Sequence, residues 1–573
     1  MTTIEPAMPV TIDQIFVETP QYADVAREYA DLERELTAAT DAEQCAAVVL
    51  QWDQIRRRLE TWNALVSLRF NQDTTNEQYK KDREYSDELQ PRLTDLDVRL
   101  KRLLLASPFR AELAKKFGEQ VFALWSADVM SFEPAIQEHL VKEAKLQAEY
   151  SEVMAAAKIP FRGELLNHSA IVKYREDPDR GIRHAAELAR WQWYADNRPQ
   201  LDRIFGDLVQ LRHEMARTLK FKNFVELGYQ RMKRVDYNEE DVARFRDEVR
   251  QHVVPLAVEL RKKQAKDLGI DKLMFWDDAI HDRQGNPAPQ GDHDWMVERA
   301  HEMFAAMDPE LDNFFHLMTE ARLTDLKNRE GKSPGGFCTS FPSYGLPFIF
   351  ANFNGTKHDV EVFTHEVGHA YQGYLSRNQP LIDYLWPTYE SCEIHSMGLE
   401  FLTWPHMDKF FGGSDGRTTG GGERFRRIHL TQGLLFLPYG VAVDHFQHLV
   451  YSRPDATPAE RHAMWQEMER MYLPWRDYGD LPHVREGGFW QFQRHIYLHP
   501  FYYIDYTLAQ TCALQLWVRS QREPAKTMQD YNALCRRGGE APFQALARGA
   551  GLISPFDAGC LRDVVAQARQ SLG

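Results

Sequence analysis

The sequence predicts a mainly α-helical protein with a small β element beside a helix that carries metal-binding chemistry. Three features of the 573-residue chain lead there. Much of the first half is rich in charged helix formers with apolar residues at three- and four-residue spacing. After Gly331 the texture changes to glycine, proline and aromatics. Directly beyond lies His365-Glu366-Val367-Gly368-His369, within helix-compatible sequence.

From about Tyr22 to Ala106 glycine is absent and Ala, Leu, Glu, Arg and Lys dominate. Leu93, Leu96, Leu100, Leu103 and Leu104 fall on one helical stripe. A helical hairpin or bundle is expected over residues 1–125. Helical patterns continue over 138–157, 182–195, 201–219 and 239–268, with breaks expected at Pro160, Pro178 and Pro199.

In the segment 346–354, Phe348, Ile349, Phe350 and Phe353 suit a buried or half-buried strand. Pro347 favours the start of that strand or an edge position. An edge strand beside the active site is expected, placing Phe350, Ala351 and Asn352 where a peptide backbone could add to it. The glycine-rich stretch 412–422 lacks the Lys-Ser/Thr pair of a phosphate-binding loop and reads as a solvated loop.

Composition excludes several classes. Hydrophobic residues at 43% and charged residues at 27% describe a globular chain. A formal net charge of −15 argues against a nucleic-acid partner, whose phosphates call for a basic field. The first residues lack a basic and then apolar secretory leader, and no apolar run is long enough to span a membrane, so a cytoplasmic protein is expected. The cysteines Cys45, Cys338, Cys392, Cys512, Cys535 and Cys560 contain no CxxC pair and are expected to be reduced. A homo-oligomer is compatible with this composition.

The metal chemistry follows from spacing. Four residues apart on a helix, His365 and His369 present their imidazoles from one face and grip one ion. Glu366 lies at the border of that face, where it reaches an attacking water without being a ligand. A catalytic zinc takes three protein ligands and keeps one position open, so a carboxylate should follow. Downstream, Glu390, Glu393 and Glu400 share a helical face. Spacing alone leaves Glu390 and Glu393 as alternatives, and His395 points to another side of that helix.

Further along, His495, Tyr497, His499, Tyr502, Tyr503 and Tyr506 crowd into a short stretch. Attack of water on a carbonyl needs donors for the oxyanion, and histidine or tyrosine can supply them.

The runs Phe363-Thr-His-Glu-Val-Gly-His-Ala-Tyr-Gln372, Glu393-Ile-His-Ser-Met-Gly-Leu-Glu400 and Pro347-Phe-Ile-Phe-Ala-Asn-Phe-Asn-Gly-Thr356 resemble the M3 metallopeptidases, in their oligoendopeptidase F and Pz-peptidase branch. The resemblance covers roughly residues 200 to 570. It departs at Gln372, where many relatives carry histidine.

That resemblance implies a zincin-like fold of two helical lobes around a deep channel, with a catalytic region over 126–573 and core motifs within 335–510. It implies one Zn2+ per chain held by His365, His369 and Glu393, with Glu400 orienting a ligand histidine. His495 with Tyr503 and Tyr506 would stabilise the oxyanion, and His499 and Tyr502 would meet the substrate. The expected activity is hydrolysis of internal bonds in short peptides. Rival readings are a helical exopeptidase with the same motif and a non-catalytic peptide-binding protein.

Overall fold

Most of the chain is helical in the computed structural model, which describes residues 10–333, 335–413 and 420–573. Residues 414–419 of the glycine-rich stretch lie outside the described residues. The chain forms two compact units. The first joins Met1–Met130, Ala288–Glu423 and Cys512–Ser554, and the second joins Ser131–Pro287, Arg424–Thr511 and Pro555–Gly573. Five strands occur among the described residues: β1 (Ile159–Phe161) and β2 (Glu164–Leu166) in the second unit, and β3 (Thr324–Lys327), β4 (Phe337–Phe341) and β5 (Leu346–Phe353) in the first.

In the first unit the N-terminal region forms the long helices Tyr22–Ala38, Ala42–Gln72 and Glu77–Leu105. Asp41 and Asn76 cap the second and third, their side chains accepting from the exposed amides of the first turn. Leu93, Leu96, Leu100 and Leu104 enter a core with Trp52 and Trp125. Leu103 does not, being 39% exposed, because the buried stripe is narrower than the leucine run. Leu381 and Tyr384 join the same core. Tyr384 donates to Phe117 O (2.7 Å) and accepts from Val121 N (3.0 Å). Arg56 pairs with Asp383 at 2.7 Å. The N-terminal helices therefore anchor the segment that follows the histidine motif.

The three-stranded sheet has the order β3-β5-β4. β5 is thus the middle strand and not the edge strand expected from Pro347. β3 runs parallel to β5 and pairs from Ile349 onward, so it never reaches Pro347, whose missing N–H costs that side nothing. β4 pairs antiparallel with β5 from Phe337↔Phe350 to Phe341↔Leu346 and forms an outer strand. The Lys332 ammonium donates to Ala351 O (2.6 Å) and to Asp325 Oδ1 (2.8 Å), tying β5 to β3.

From β5 the chain turns into the helix Lys357–Leu375. Asp359 fixes the turn by accepting from Asn354 N and Gly355 N. The helix Tyr389–Leu402 packs against it so closely that a Cβ on Gly368 would lie 2.6 Å from His395 O and 2.7 Å from Ser396 Cα. Only glycine permits this backbone contact. Tyr531 buttresses the second helix by donating to His395 O at 2.8 Å.

The second unit departs from expectation at Pro199, whereas the helix break expected at Pro160 is present. Pro199 lies inside one continuous helix, Arg180–Thr218. It sits on the exposed side, where water can satisfy the carbonyl that its ring leaves unbonded. Pro160 lies in the β1–β2 hairpin, closed by Arg162 and Gly163, both with positive φ, as a tight two-residue turn requires. The core packs Trp191, Phe205, Trp465 and Trp490. Arg212 and Arg231 flank the buried Glu143 and hold its carboxyl down at about 2 against the opposing effect of burial.

The corner before the helix Tyr503–Ser520 is pinned at Phe501, whose φ is 67°. Phe501 N donates to Gln447 Oε1 (2.9 Å), and the fully buried Arg234 and Asp505 pair at 2.9 Å. No described helix is long and apolar enough to cross a membrane.

Gly368→Ala is expected to destabilise the first unit by about 1–3 kcal/mol, since the new methyl must force two backbones apart. Urea unfolding checks this, and an unchanged midpoint would show that the contact is not tight.

Candidate metal centre and active site

His365 and His369 leave the same face of the helix Lys357–Leu375, with ring centroids 4.9 Å apart. Glu393 comes from the crossing helix Tyr389–Leu402, and its Oε2 lies 3.2 Å from His365 Nε2 and 3.4 Å from His369 Nε2. The three side chains form a group able to hold a metal ion. Glu390, the alternative left open by spacing, lies one turn earlier and accepts from Thr388 Oγ1 at 3.0 Å.

Each of the three side chains is held from behind. His365 Nδ1 donates to Glu400 Oε1 at 2.7 Å. Cys392 Sγ lies 3.3 Å from His369 Nδ1. Ser396 Oγ donates to Glu393 Oε2 at 2.9 Å. Such partners fix the tautomer and ring orientation of a ligating histidine. Both Nε2 atoms are thereby turned toward Glu393.

Charge in this buried place is balanced locally. Burial works against an imidazolium at His365, but Glu393 and Glu400 outweigh it and raise the group well above the usual histidine range. Burial likewise works against an ionised Glu393, yet His369 and His365 hold its carboxyl well below the usual range. Burial raises Glu366, opposed by the two histidines. Glu366 Oε2 is buried with no hydrogen-bond partner in the protein.

The donor set fits a zinc ion. Tetrahedral coordination at about 2.1 Å spaces ligand atoms about 3.4 Å apart, close to the separations of Oε2 from the two Nε2 atoms. Two imidazoles and a carboxylate, with the remaining histidine nitrogens already engaged, are the three-ligand set that a catalytic zinc would take.

Around this centre the structure adds residues that the sequence did not single out. Cys392 carries no recognisable ligand spacing, and only the crossing of the two helices brings it to His369. Burial, and next Glu393, push its thiol well up, so it stands as a neutral S–H. Gly336 leads into β4, and a Cβ there would lie 3.5 Å from Glu366 Oε1. Gln372, the departure from the family pattern, is fully buried and donates to Ser376 Oγ and Leu385 O, both at 2.9 Å. His395 is buried, held down at about 4 chiefly by burial and next by His369, and is a neutral packing residue.

Of the strand residues, Phe350 and Ala351 are fully buried in β5. Phe350 stacks on Phe337 at 4.7 Å. Asn352 Nδ2 donates to Ser333 O and Gly335 O, both at 2.8 Å, and so holds the chain just before Gly336.

In the second unit the histidine and tyrosine run forms a cluster of its own. The His495 ring lies 5.1 Å from Tyr503, 5.8 Å from Tyr506 and 5.9 Å from Tyr502. Gln493 Nε2 meets His495 Nδ1 at 2.7 Å, while Tyr439 donates to Gln493 Oε1 at 2.6 Å. Burial raises the Tyr503 hydroxyl, with Arg476 opposing, so it remains a donor. His499 is exposed, and Tyr497 is fully buried in the core.

A family model described as Peptidase family M3 matches residues 173–565, and one described as the Peptidase M3 N-terminal domain matches residues 12–132. Among solved structures, Pz peptidase A bound to an inhibitor is 43% identical over 98% of each chain, with a TM-score of 0.92. A structure provisionally named oligoendopeptidase F is 44% identical over 98% of each chain, also at 0.92. A provisionally named oligoendopeptidase F from Bacillus anthracis is 38% identical over 98% of each chain, at 0.87. No curated protein matches the chain. Family models that together span most of its length, and relatives this similar from end to end, make the chain a member of peptidase family M3, a metallopeptidase of the oligoendopeptidase F and Pz-peptidase type.

Proposed function

We propose that the chain hydrolyses internal bonds of short peptides at a single zinc held by His365, His369 and Glu393. The observation that carries this reading is the convergence of the two Nε2 atoms on Glu393 Oε2, with Glu400 and Cys392 engaging the opposite ring nitrogens. Bound there, zinc supplies a Lewis acid that polarises a carbonyl and eases deprotonation of water.

The protein's own groups do the rest. Glu366 receives the proton of the attacking water on its unpartnered Oε2 and returns it to the leaving amine. Burial favours the protonated carboxyl and so helps it hold that proton between the two transfers. His495, Tyr503 and Tyr506 act as donors to the oxyanion, and His499 and Tyr502 meet the substrate.

A peptide backbone adds to the outer strand β4, because β5 is paired on both sides. Phe350, Ala351 and Asn352 then serve substrate binding through β4. Phe350 sits beneath Phe337, Ala351 O is fastened by Lys332, and Asn352 fixes the approach to Gly336.

Three measurements bear on these roles. Glu366→Gln should keep its zinc and lose roughly 100-fold or more in kcat on peptides with blocked ends. Near wild-type cleavage would remove Glu366 as the base, and cleavage confined to free-ended peptides would favour an exopeptidase. Glu393→Ala should strip far more metal than Glu390→Ala in a metal-content assay, and the reverse order would reassign the ligand. Tyr503→Phe or Tyr506→Phe should lower kcat by roughly 100-fold with zinc content unchanged, while unaltered kcat in both would end the oxyanion assignment.

A further inference from the structure

A second group of metal-ligating side chains lies elsewhere in the first unit, on the hairpin of helices His293–Met307 and Pro309–Glu320. A single residue, Asp308, joins the two helices and caps the second by accepting from Glu310 N and Leu311 N. This tight link fixes the register of the pair. His301 on the first helix thereby faces Asp312 and His316 on the second, which stand one helical turn apart on a common face.

The ligand atoms of His301, Asp312 and His316 all lie within 4.8 Å of one another. The two imidazole rings have centroids 4.5 Å apart, and His316 Nε2 is 3.5 Å from Asp312 Oδ1. Two buried atoms of the cluster, His301 Nδ1 and Asp312 Oδ1, have no hydrogen-bond partner in the protein. Buried polar atoms of this kind normally have a partner, so an orphaned nitrogen and an orphaned carboxylate oxygen in one cluster mark a place for a ligand that accepts electrons from both.

We propose that His301, Asp312 and His316 form a second metal site, one that takes a divalent first-row transition ion such as Zn2+, Co2+ or Ni2+. Two imidazoles and one carboxylate suit these borderline ions, whereas Mg2+ and Ca2+ ask for sets made mainly of oxygen. The site shares no residue with the His365, His369 and Glu393 group and does not depend on the peptidase mechanism.

Its place in the fold gives it a structural role. The His301 ring packs on Phe315 at 4.6 Å, and Phe315 packs on Phe304 at 5.0 Å and on Phe363 at 5.7 Å. Phe363 stands two residues before His365 on the motif helix. An ion bridging the hairpin therefore stiffens the aromatic layer on which that helix rests.

The test is zinc stoichiometry by equilibrium dialysis of the full-length chain after chelator treatment, with bound metal counted by plasma mass spectrometry. His316 is the ligand to change, because its side chain is 55% exposed and its loss leaves the core untouched. His316→Ala should lower bound zinc by about one ion per chain relative to the unaltered protein. The same loss is expected in a His365→Ala, His369→Ala background, which otherwise retains about one ion. Asp312→Asn, nearly the same in shape, should act as His316→Ala does, and excess Mg2+ should not displace the ion. Equal zinc content with and without His316, in either background, would overturn the proposal.

Discussion

The site depends on one contact in which no side chain takes part, the approach of the helix Tyr389–Leu402 to the backbone at Gly368. Helices normally keep 8–10 Å between their axes because side chains hold them apart. With hydrogen in place of a side chain at Gly368, the second helix comes near enough for short carboxylate side chains to reach the first. Glu393 and Glu400, two turns apart on that helix, then meet opposite nitrogens of His365. Cys392 reaches His369 by the same approach. The middle residues of the histidine motif are therefore as constrained as its ends.

A pair of imidazoles and several carboxylates buried together would be costly if each charge stood alone. The arrangement avoids this by alternation: carboxylate, imidazole, carboxylate along the line Glu400, His365, Glu393. Glu366 stands outside that line with an unsatisfied oxygen. The group with the least fixed partnership is the one assigned to move a proton, whereas the groups assigned to hold an ion are tied down from two sides.

What could be read from the sequence was what is local. Helical periodicity showed that the N-terminal region and the motif segment are helical, and the i, i+4 histidines needed nothing beyond helix geometry. Choosing Glu393 over Glu390 needed the family resemblance, because both suit the spacing and only the crossing angle separates them. Pro347 misled because proline forbids one hydrogen bond and not two neighbours; the register of β3 spares the position where that bond is missing. Pro199 misled in a similar way, since an exposed helix face tolerates the unbonded carbonyl. Cys392 and the trio His301, Asp312 and His316 carried no legible signal, for their meaning lies in which helices touch.

The first unit is stitched from three separated stretches of chain, and the last of them, Cys512–Ser554, contributes directly to the helices that carry the candidate metal ligands. Tyr531 donates to the carbonyl of His395, Asn532 accepts from Tyr371, and Leu516 fills the space against Gly398. During synthesis these residues follow the helix Tyr389–Leu402 by more than a hundred positions. The helix crossing that aligns the histidines and Glu393 is therefore completed only once this later stretch has been made. A chain interrupted before that stretch would carry the whole histidine motif and still lack the support that holds the crossing in place.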